Sequence, residues 1–118
     1  MNIIFGDSVN EIPDHYILLE LDTFRRPGET ETTIAYCLVE KPALEELVNM
    51  EAYKKIHADV VKYFKQRQWE YCEQAIPGLM GKWGGDLDSF YTDLLTRVLD
   101  YKQNEPSADW DGTRIKIG

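Results

Sequence analysis

The spacing of apolar residues changes once along this chain, at Lys41-Pro42, and this change restricts the fold more than any other feature. Before it, apolar and polar residues alternate: Ile17, Leu19 and Leu21 face one way within residues 15–24, as in a half-buried strand. After it, apolar residues recur every three or four positions, which is the period of a helix. Strands first and helices afterwards, without β-α-β alternation, predict an α+β domain. A small antiparallel sheet of N-terminal strands, including a hairpin, should pack against a C-terminal helical hairpin or bundle.

Three strands are predicted in the N-terminal part, over residues 2–5, 15–24 and 32–40. Residues 8–14 between the first two are expected to form a loop that Pro13 breaks. Between the second and third, Arg26-Pro27-Gly28 has Pro and Gly in the order of a tight turn, so these strands should pair as an antiparallel hairpin. Residues 113–117 alternate weakly and could return as an edge strand.

The helical part should begin at Pro42, since proline suits the first turn of a helix, and break or kink at Asn49-Met50. Further helices are predicted over residues 51–66, 69–76 and 87–102. The first of these should present Ile56, Val60, Tyr63 and Phe64 as its apolar stripe. Pro77 should kink or restart the next helix, which could extend to Met80. The last helix has the clearest apolar stripe, formed by Leu87, Phe90, Tyr91, Leu94, Leu95 and Val98.

Length and charge limit the class of protein. A chain of 118 residues predicts one domain, residues 1–118, with a β part (1–40), a helical layer (41–104) and a C-terminal segment (105–118). The net charge of −8 argues against nucleic acids and anionic membranes as partners. The N-terminus lacks the basic region and apolar run of a signal peptide, and no stretch has the length of a membrane span. A soluble, cytoplasmic protein is therefore expected.

Candidate binding residues are few: Glu20, Asp22, Tyr36 and Trp83. Glu20 and Asp22 point the same way on one strand, as paired catalytic carboxylates do, and Tyr36 is the tyrosine that could join them in a pocket. A solvated outer sheet face explains the two acids at least as well. Trp83 lies in a predicted loop and is either a cap over the helices or an exposed binding anchor.

Other reactive side chains indicate no catalytic or metal centre. His57 and Asp59 are two positions apart and cannot share a helical face, so they are not a metal pair, and His57 is expected to be partly exposed. Cys37 and Cys72 are predicted to be buried, reduced thiols, with a disulfide or a metal pair as the less favoured alternatives. The glycine-rich residues 81–85 lack the spacing of a phosphate-binding loop. No catalytic residue, metal or cofactor is predicted.

The second half of the chain resembles a known family. Tyr63-Phe64, a short polar turn, Trp69 and Ala75 resemble the hinge of a tetratricopeptide-type helical pair, although Arg67 stands where such a unit prefers Gly. With residues 105–112, the order is similar to the helical tail after the catalytic domain of bacterial class III adenylate and guanylate cyclases. The likeness covers about residues 53–113, and the N-terminal fifty residues are too few for a cyclase catalytic domain. The resemblance implies an accessory or regulatory module and transfers no catalytic residue.

The C-terminal segment is predicted to be a structural clasp, which consists of Pro106, Asp109, Trp110, Asp111 and Gly112. Its Trp ring should lie across the helical pair near Trp69 or Tyr63. The two acids should accept hydrogen bonds from backbone N–H groups, and the glycine should permit a backbone angle that other residues resist. The alternative is a frayed tail.

Two functions remain open at this point. The first is a non-catalytic protein-interaction or regulatory module that binds a protein partner or a second copy of itself as a homodimer. The second is a small enzyme or ligand-binding protein with a pocket between sheet and helices. A polar pocket with converging carboxylates would favour the second, and an apolar patch or an open strand edge would favour the first. The lack of a catalytic motif in the sequence favours the first.

Overall fold

The computed structural model describes residues 2–6, 12, 14–41 and 44–115. The predicted loop break at Pro13, the helix start at Pro42 and the end of the last strand at residues 116–117 lie outside the described residues. None of the described helices has the length and apolar content needed to cross a bilayer.

Four strands form one sheet, and the helices follow the first three, so the predicted α+β class is confirmed. The strands are β1 (Asn2–Phe5), β2 (Tyr16–Arg25), β3 (Thr32–Glu40) and β4 (Thr113–Ile115), in the order β1-β3-β2-β4. β3 pairs antiparallel with both β1 and β2, as predicted for the hairpin. β4 returns from the C-terminal end and pairs parallel with the last part of β2, Thr23 to Arg25, which makes it the predicted edge strand.

The hairpin turn follows from two residues. Glu29 N donates to Arg26 O at 3.1 Å, which places Pro27 and Gly28 at the two central positions. Gly28 has a φ of +84°, so the turn is of type II, in which proline suits the first central position and glycine the second. Further along the hairpin, the register shifts between Glu20 and Thr23, an irregularity that the alternation of the sequence did not reveal.

Three helices form the second layer: α1 (Leu44–Lys65), α2 (Trp69–Leu79) and α3 (Asp88–Gln103). The predicted break at Asn49-Met50 is wrong, because α1 is continuous across it. α2 passes Pro77 and ends at Leu79, close to the predicted extension to Met80, so the predicted restart at Pro77 is wrong. A proline in the last turn removes only one helical hydrogen bond, and Met80 N still reaches Pro77 O at 3.3 Å.

The core lies between one face of the sheet and the helices. It takes Ile17, Leu19 and Leu21 from β2, as the alternation predicted, and both free cysteines are buried, as expected. The last predicted stripe is confirmed for Leu87, Phe90, Tyr91, Leu94 and Val98, all buried, with Leu95 half-buried against them. The stripe predicted for α1 is correct at Val60 and Phe64 and wrong at Ile56, which is 36% exposed.

Packing of α3 against the sheet and α1 generates a stability prediction. Replacing Leu94, 3% exposed, with Ala should lower the free energy of unfolding by about 2–5 kcal/mol, because it removes buried methyl groups and leaves a cavity. Leu99→Ala is the matched control on the same helix. Leu99 is 42% exposed, so its loss should cost under about 1 kcal/mol. Urea denaturation measures both. Equal losses at the two positions would contradict this packing.

Candidate functional site

A buried polar network joins the sheet to the helices. Nδ1 of His57 in α1 lies 2.8 Å from the hydroxyl of Tyr91 in α3, and Nε2 contacts the carbonyl of Glu20 in β2. The indole Nε1 of Trp83, from the loop between α2 and α3, donates to the same hydroxyl at 2.9 Å. His57, Trp83 and Tyr91 are each at most 2% exposed. The network therefore ties β2, α1, α3 and this loop together in the interior.

One proton arrangement gives every polar hydrogen of this network an acceptor. The Glu20 carbonyl can only accept, so Nε2 of His57 carries a proton. The Trp83 indole can only donate, so the Tyr91 oxygen accepts from it and its own hydrogen goes to Nδ1 of His57. His57 is neutral in this arrangement. Burial lowers the pKa of His57, against the smaller opposing effects of the Glu20 carbonyl and carboxylate, and burial raises the pKa of Tyr91.

Two sequence predictions fail at this network. His57 is buried and not partly exposed, because its ring satisfies a carbonyl of β2 and thereby faces the sheet in place of Ile56. Trp83 is buried and is not an exposed binding anchor. It is a cap over the helices, which was the alternative. The position of Trp83 in a predicted loop did not indicate that its N–H would donate to the Tyr91 hydroxyl.

Glu20 and Asp22 do not form a pair of catalytic carboxylates. Glu20 Oε2 accepts from Lys65 Nζ of α1 at 2.8 Å, and Asp22 Oδ1 accepts from Arg97 Nη1 of α3 at 3.2 Å. Each acid is thus directed to a different helix. The change of register after Glu20 interrupts the regular alternation that would have kept the two side chains side by side.

A cleft of about 490 Å³ lies between α1 and the hairpin of β2 and β3. Two of the four predicted binding residues, Glu20 and Tyr36, line it together and are direct partners across the two strands. Apolar and basic side chains complete the cleft, among them Leu18, Ala58, Val61, Lys54, Lys62 and Lys65. A small molecule in this cleft would have apolar walls and charged groups within reach.

A second depression lies at the opposite edge of the sheet, beside β1. It encloses about 300 Å³, and apolar side chains dominate its lining: Ile3 and Phe5 of β1, Phe24 of β2 and Phe90 of α3. Ile3 and Phe5 are 47% and 46% exposed. We call this surface the β1 groove. Asp22 also lines it, so the fourth predicted binding residue lies there, apart from Glu20 and Tyr36.

Trp110 of the predicted clasp lies in an aromatic cluster with its ring centroid 5.5 Å from Phe64, 5.6 Å from Trp69 and 5.3 Å from Tyr101. Trp69 was one of its two predicted neighbours. The other, Tyr63, packs instead against Tyr71, at 4.7 Å. Trp110 is half-buried, and Trp69 beneath it is buried.

Arg67 holds the C-terminal segment to the turn between α1 and α2. Its guanidinium donates to the carbonyls of Pro106, Ser107 and Trp110 and stands 5.4 Å from the Trp110 ring. Its backbone has a φ of +63°, in a region that residues other than glycine rarely adopt. This is the position at which the predicted resemblance to a tetratricopeptide-type hinge expects Gly. The sequence indicated the departure but not its role.

The remaining clasp residues shape the segment that leads into β4. Asp111 accepts from the backbone N–H of Thr113 at 2.9 Å and from Arg25 at 3.2 Å, and Asp109 accepts from the Ser107 hydroxyl at 2.6 Å. Gly112 has a φ of +88°, and a Cβ there would lie 2.7 Å from Cγ of Lys65. The close approach of this backbone to α1 thus requires glycine.

Comparison with known proteins adds no relative: the chain matches no protein-family model, no curated protein and no solved structure. The described part of the chain also has no group of three or more His, Cys, Asp or Glu side chains placed to hold a metal ion. The geometry of the cleft, the β1 groove and the clasp is therefore the basis for any functional proposal.

The buried His57 predicts a pH dependence of stability. Its pKa is lowered in the folded state, so the unfolded chain binds more protons between that value and the ordinary 6.5. The free energy of unfolding should have its full value above pH 6.5. It should fall as the pH drops towards and through the pKa of His57 in the folded state, by at most about 1.4 kcal/mol per pH unit. Denaturant unfolding between pH 7 and 5 measures this slope.

Two variants identify the group responsible for that slope. His57→Gln should lose it between pH 5 and 6.5, whatever its absolute stability, because no imidazole remains at the network. His15→Gln should keep it, because His15 is an exposed residue outside the network. The same slope in His57→Gln as in the unchanged protein would assign the effect to other groups.

The clasp generates a second stability prediction. Trp110→Ala should lower the free energy of unfolding by about 2–3 kcal/mol, less than for a fully buried Trp, because half of the ring is covered by the aromatic cluster. Trp110→Phe should retain most of the stability. Removing residues 106–118 should lower the melting temperature by several degrees. If the truncated chain melts with the full-length chain, the segment does not stabilise the fold.

Proposed function

We propose that this chain is a protein-interaction module of regulatory type and that it binds through β1 and the β1 groove. The observation that carries the proposal is the pair of large apolar side chains, Ile3 and Phe5, which remain nearly half exposed on a strand at the edge of the sheet. An apolar patch beside an open strand edge is a surface that a further strand can cover.

The pairing register puts both side chains on the face of the sheet that carries the helices. Ile3 lies opposite Cys37 and Phe5 opposite Ala35, and both partners are buried under the helical layer. Residues directly opposite each other share a face. Ile3 and Phe5 therefore face the same side as the core, beyond the point at which the helices cover it.

β1 offers an edge as well as a face. Among the described strands it pairs only with β3, so no described strand lies along its outer backbone groups. A chain that added a strand there would gain main-chain hydrogen bonds from β1 and side-chain contacts from the groove. This combination is the basis of recognition by strand addition.

The occupant we propose is a second copy of this chain. Antiparallel pairing of two β1 strands about a two-fold axis at Ile4 would place Ile3 of each copy opposite Phe5 of the other. Both pairs would then lie on the helix side and cover each other, so the surface is complementary to itself. Because β1 has four residues and each chain carries −8, the dimer should be weak and should strengthen with salt.

The same proposal treats residues 53–113 as a tetratricopeptide-like helical tail similar to those of class III cyclases. The positive φ of Arg67, at the position where that helical hinge prefers glycine, supports this assignment. The regulatory role is inferred from the resemblance, and the self-pairing surface from the exposure of β1.

Sedimentation equilibrium tests the dimer. The unchanged protein should pass from monomer to dimer as its concentration rises towards about 1 mM, in keeping with a small interface. Phe5→Lys should stay monomeric over the same range, because it places a charge in the contact. Val48→Lys is the matched control: Val48 is 78% exposed on α1, outside the groove, and this variant should dimerise normally.

Two results would contradict the proposal. A monomer at about 1 mM in high salt would remove self-pairing, since screening leaves no charge repulsion to oppose it. Equal loss of dimer in Phe5→Lys and Val48→Lys would show a general effect of added charge and not a contact at β1.

A further inference from the structure

The cleft between α1 and the hairpin is basic in an acidic protein. Three lysines line it, Lys54, Lys62 and Lys65, against one carboxylate, Glu20, while the whole chain carries −8. Lys65 is already paired with Glu20 at 2.8 Å. Lys54 and Lys62 have no ion-pair partner among the described residues. The cleft therefore keeps a local positive charge.

This positive charge lies beside an apolar surface. Ala58 and Val61 lie one turn apart on the side of α1 that carries Lys54, Lys62 and Lys65, since residues three or four positions apart share a helical face. Leu18 and the ring of Tyr36 form the opposite wall on the sheet. A volume of about 490 Å³ is within the range that small-molecule sites occupy.

The position of α1 explains why such a space exists. His57 fixes α1 beside β2 by its contact with the Glu20 carbonyl, and residues on the adjacent side of the helix then extend past the strand. Beyond the strand, these residues of α1 lie next to the face of the hairpin that carries Leu18 and Tyr36. This is the face opposite to the one that packs in the core. The cleft is thus formed by the backbone arrangement and not by one flexible side chain.

We propose that this cleft binds a small organic anion that has an apolar body. Its acidic group lies between Lys62 and Lys65, which are three positions apart, and accepts a hydrogen bond from the Tyr36 hydroxyl. Its apolar body lies along Ala58, Val61 and Leu18, towards Lys54. This function is separate from the self-pairing of β1, which lies at the other side of the sheet.

Fluorescence titration with 8-anilinonaphthalene-1-sulfonate tests the proposal, with the uncharged N-phenyl-1-naphthylamine as its matched probe. The sulfonate should bind at one site per chain, and added salt should weaken it. The neutral probe should bind at least about tenfold more weakly, because it has the same rings and no anionic group. Equal affinity for the two probes would overturn the anion assignment.

Variants locate the site. Lys62→Gln should lower the affinity for the sulfonate about three- to tenfold, because it removes one charge contact. Lys62→Arg keeps the charge and should retain most of the affinity. Lys55→Gln is the matched control, since Lys55 is next to Lys54 on α1 but pairs with Asp59 outside the cleft. It should bind like the unchanged protein. If Lys55→Gln weakens binding as much as Lys62→Gln does, the effect is one of net charge and the proposal fails.

Two further variants separate the cleft from the β1 groove. Ala58→Trp fills the cleft from an exposed helical position that tolerates a large side chain, and it should abolish binding with the fold intact by circular dichroism. Phe5→Lys alters only the β1 groove and should leave the affinity unchanged. Undiminished binding by Ala58→Trp, or loss of binding in Phe5→Lys, would place the probe elsewhere and overturn the proposal.

Discussion

The arrangement of the two layers depends on one partly buried contact, between Nε2 of the buried His57 and the carbonyl of Glu20. β4 pairs with β2 only from Thr23 onwards, so the first part of that strand edge has no described strand beside it. A buried carbonyl without a partner costs about 1–3 kcal/mol, and the imidazole removes that cost while fixing α1 along the edge. The Tyr91 hydroxyl bonds to the other ring nitrogen of His57, so His57 also fixes α3.

Both proposed surfaces follow from this position of the helices. A helical layer centred on β2 covers Leu19 and leaves the helix side of β1 open, so Ile3 and Phe5 stay exposed. The same placement carries the lysine side of α1 past the strand edge, where it meets Tyr36 across the cleft. One surface is apolar and complementary to itself, and the other is basic and concave. They therefore suit different kinds of partner.

The C-terminal segment is joined to the helices by a residue in an unfavourable backbone conformation. A positive φ costs an arginine about 1–2 kcal/mol relative to the right-handed region, a cost that glycine avoids. The guanidinium of Arg67 offsets it by binding three carbonyls of the segment, and such charged hydrogen bonds contribute about 1.5–3 kcal/mol each. The Trp110 ring then completes the aromatic cluster over Trp69. The strained backbone of Arg67 is thus offset by hydrogen bonds to a segment that is distant in sequence.

The sequence by itself determined the element order, the hairpin turn at Pro27-Gly28 and the stripe of α3, because each depends on a local period or on one residue's backbone preference. It also selected Glu20 and Tyr36, which line one cleft between sheet and helix, but it grouped Asp22 with them, since two acids on one strand look paired until a register shift separates them. Only the tertiary structure decided that His57 is buried and Ile56 exposed, and that Trp83 is a cap. Ile56 and His57 lie four and three positions before Val60, so the helical period fits either of them, and a carbonyl on a distant strand chooses between them. Such a requirement lies in the packing of the layers and leaves no local pattern in the chain.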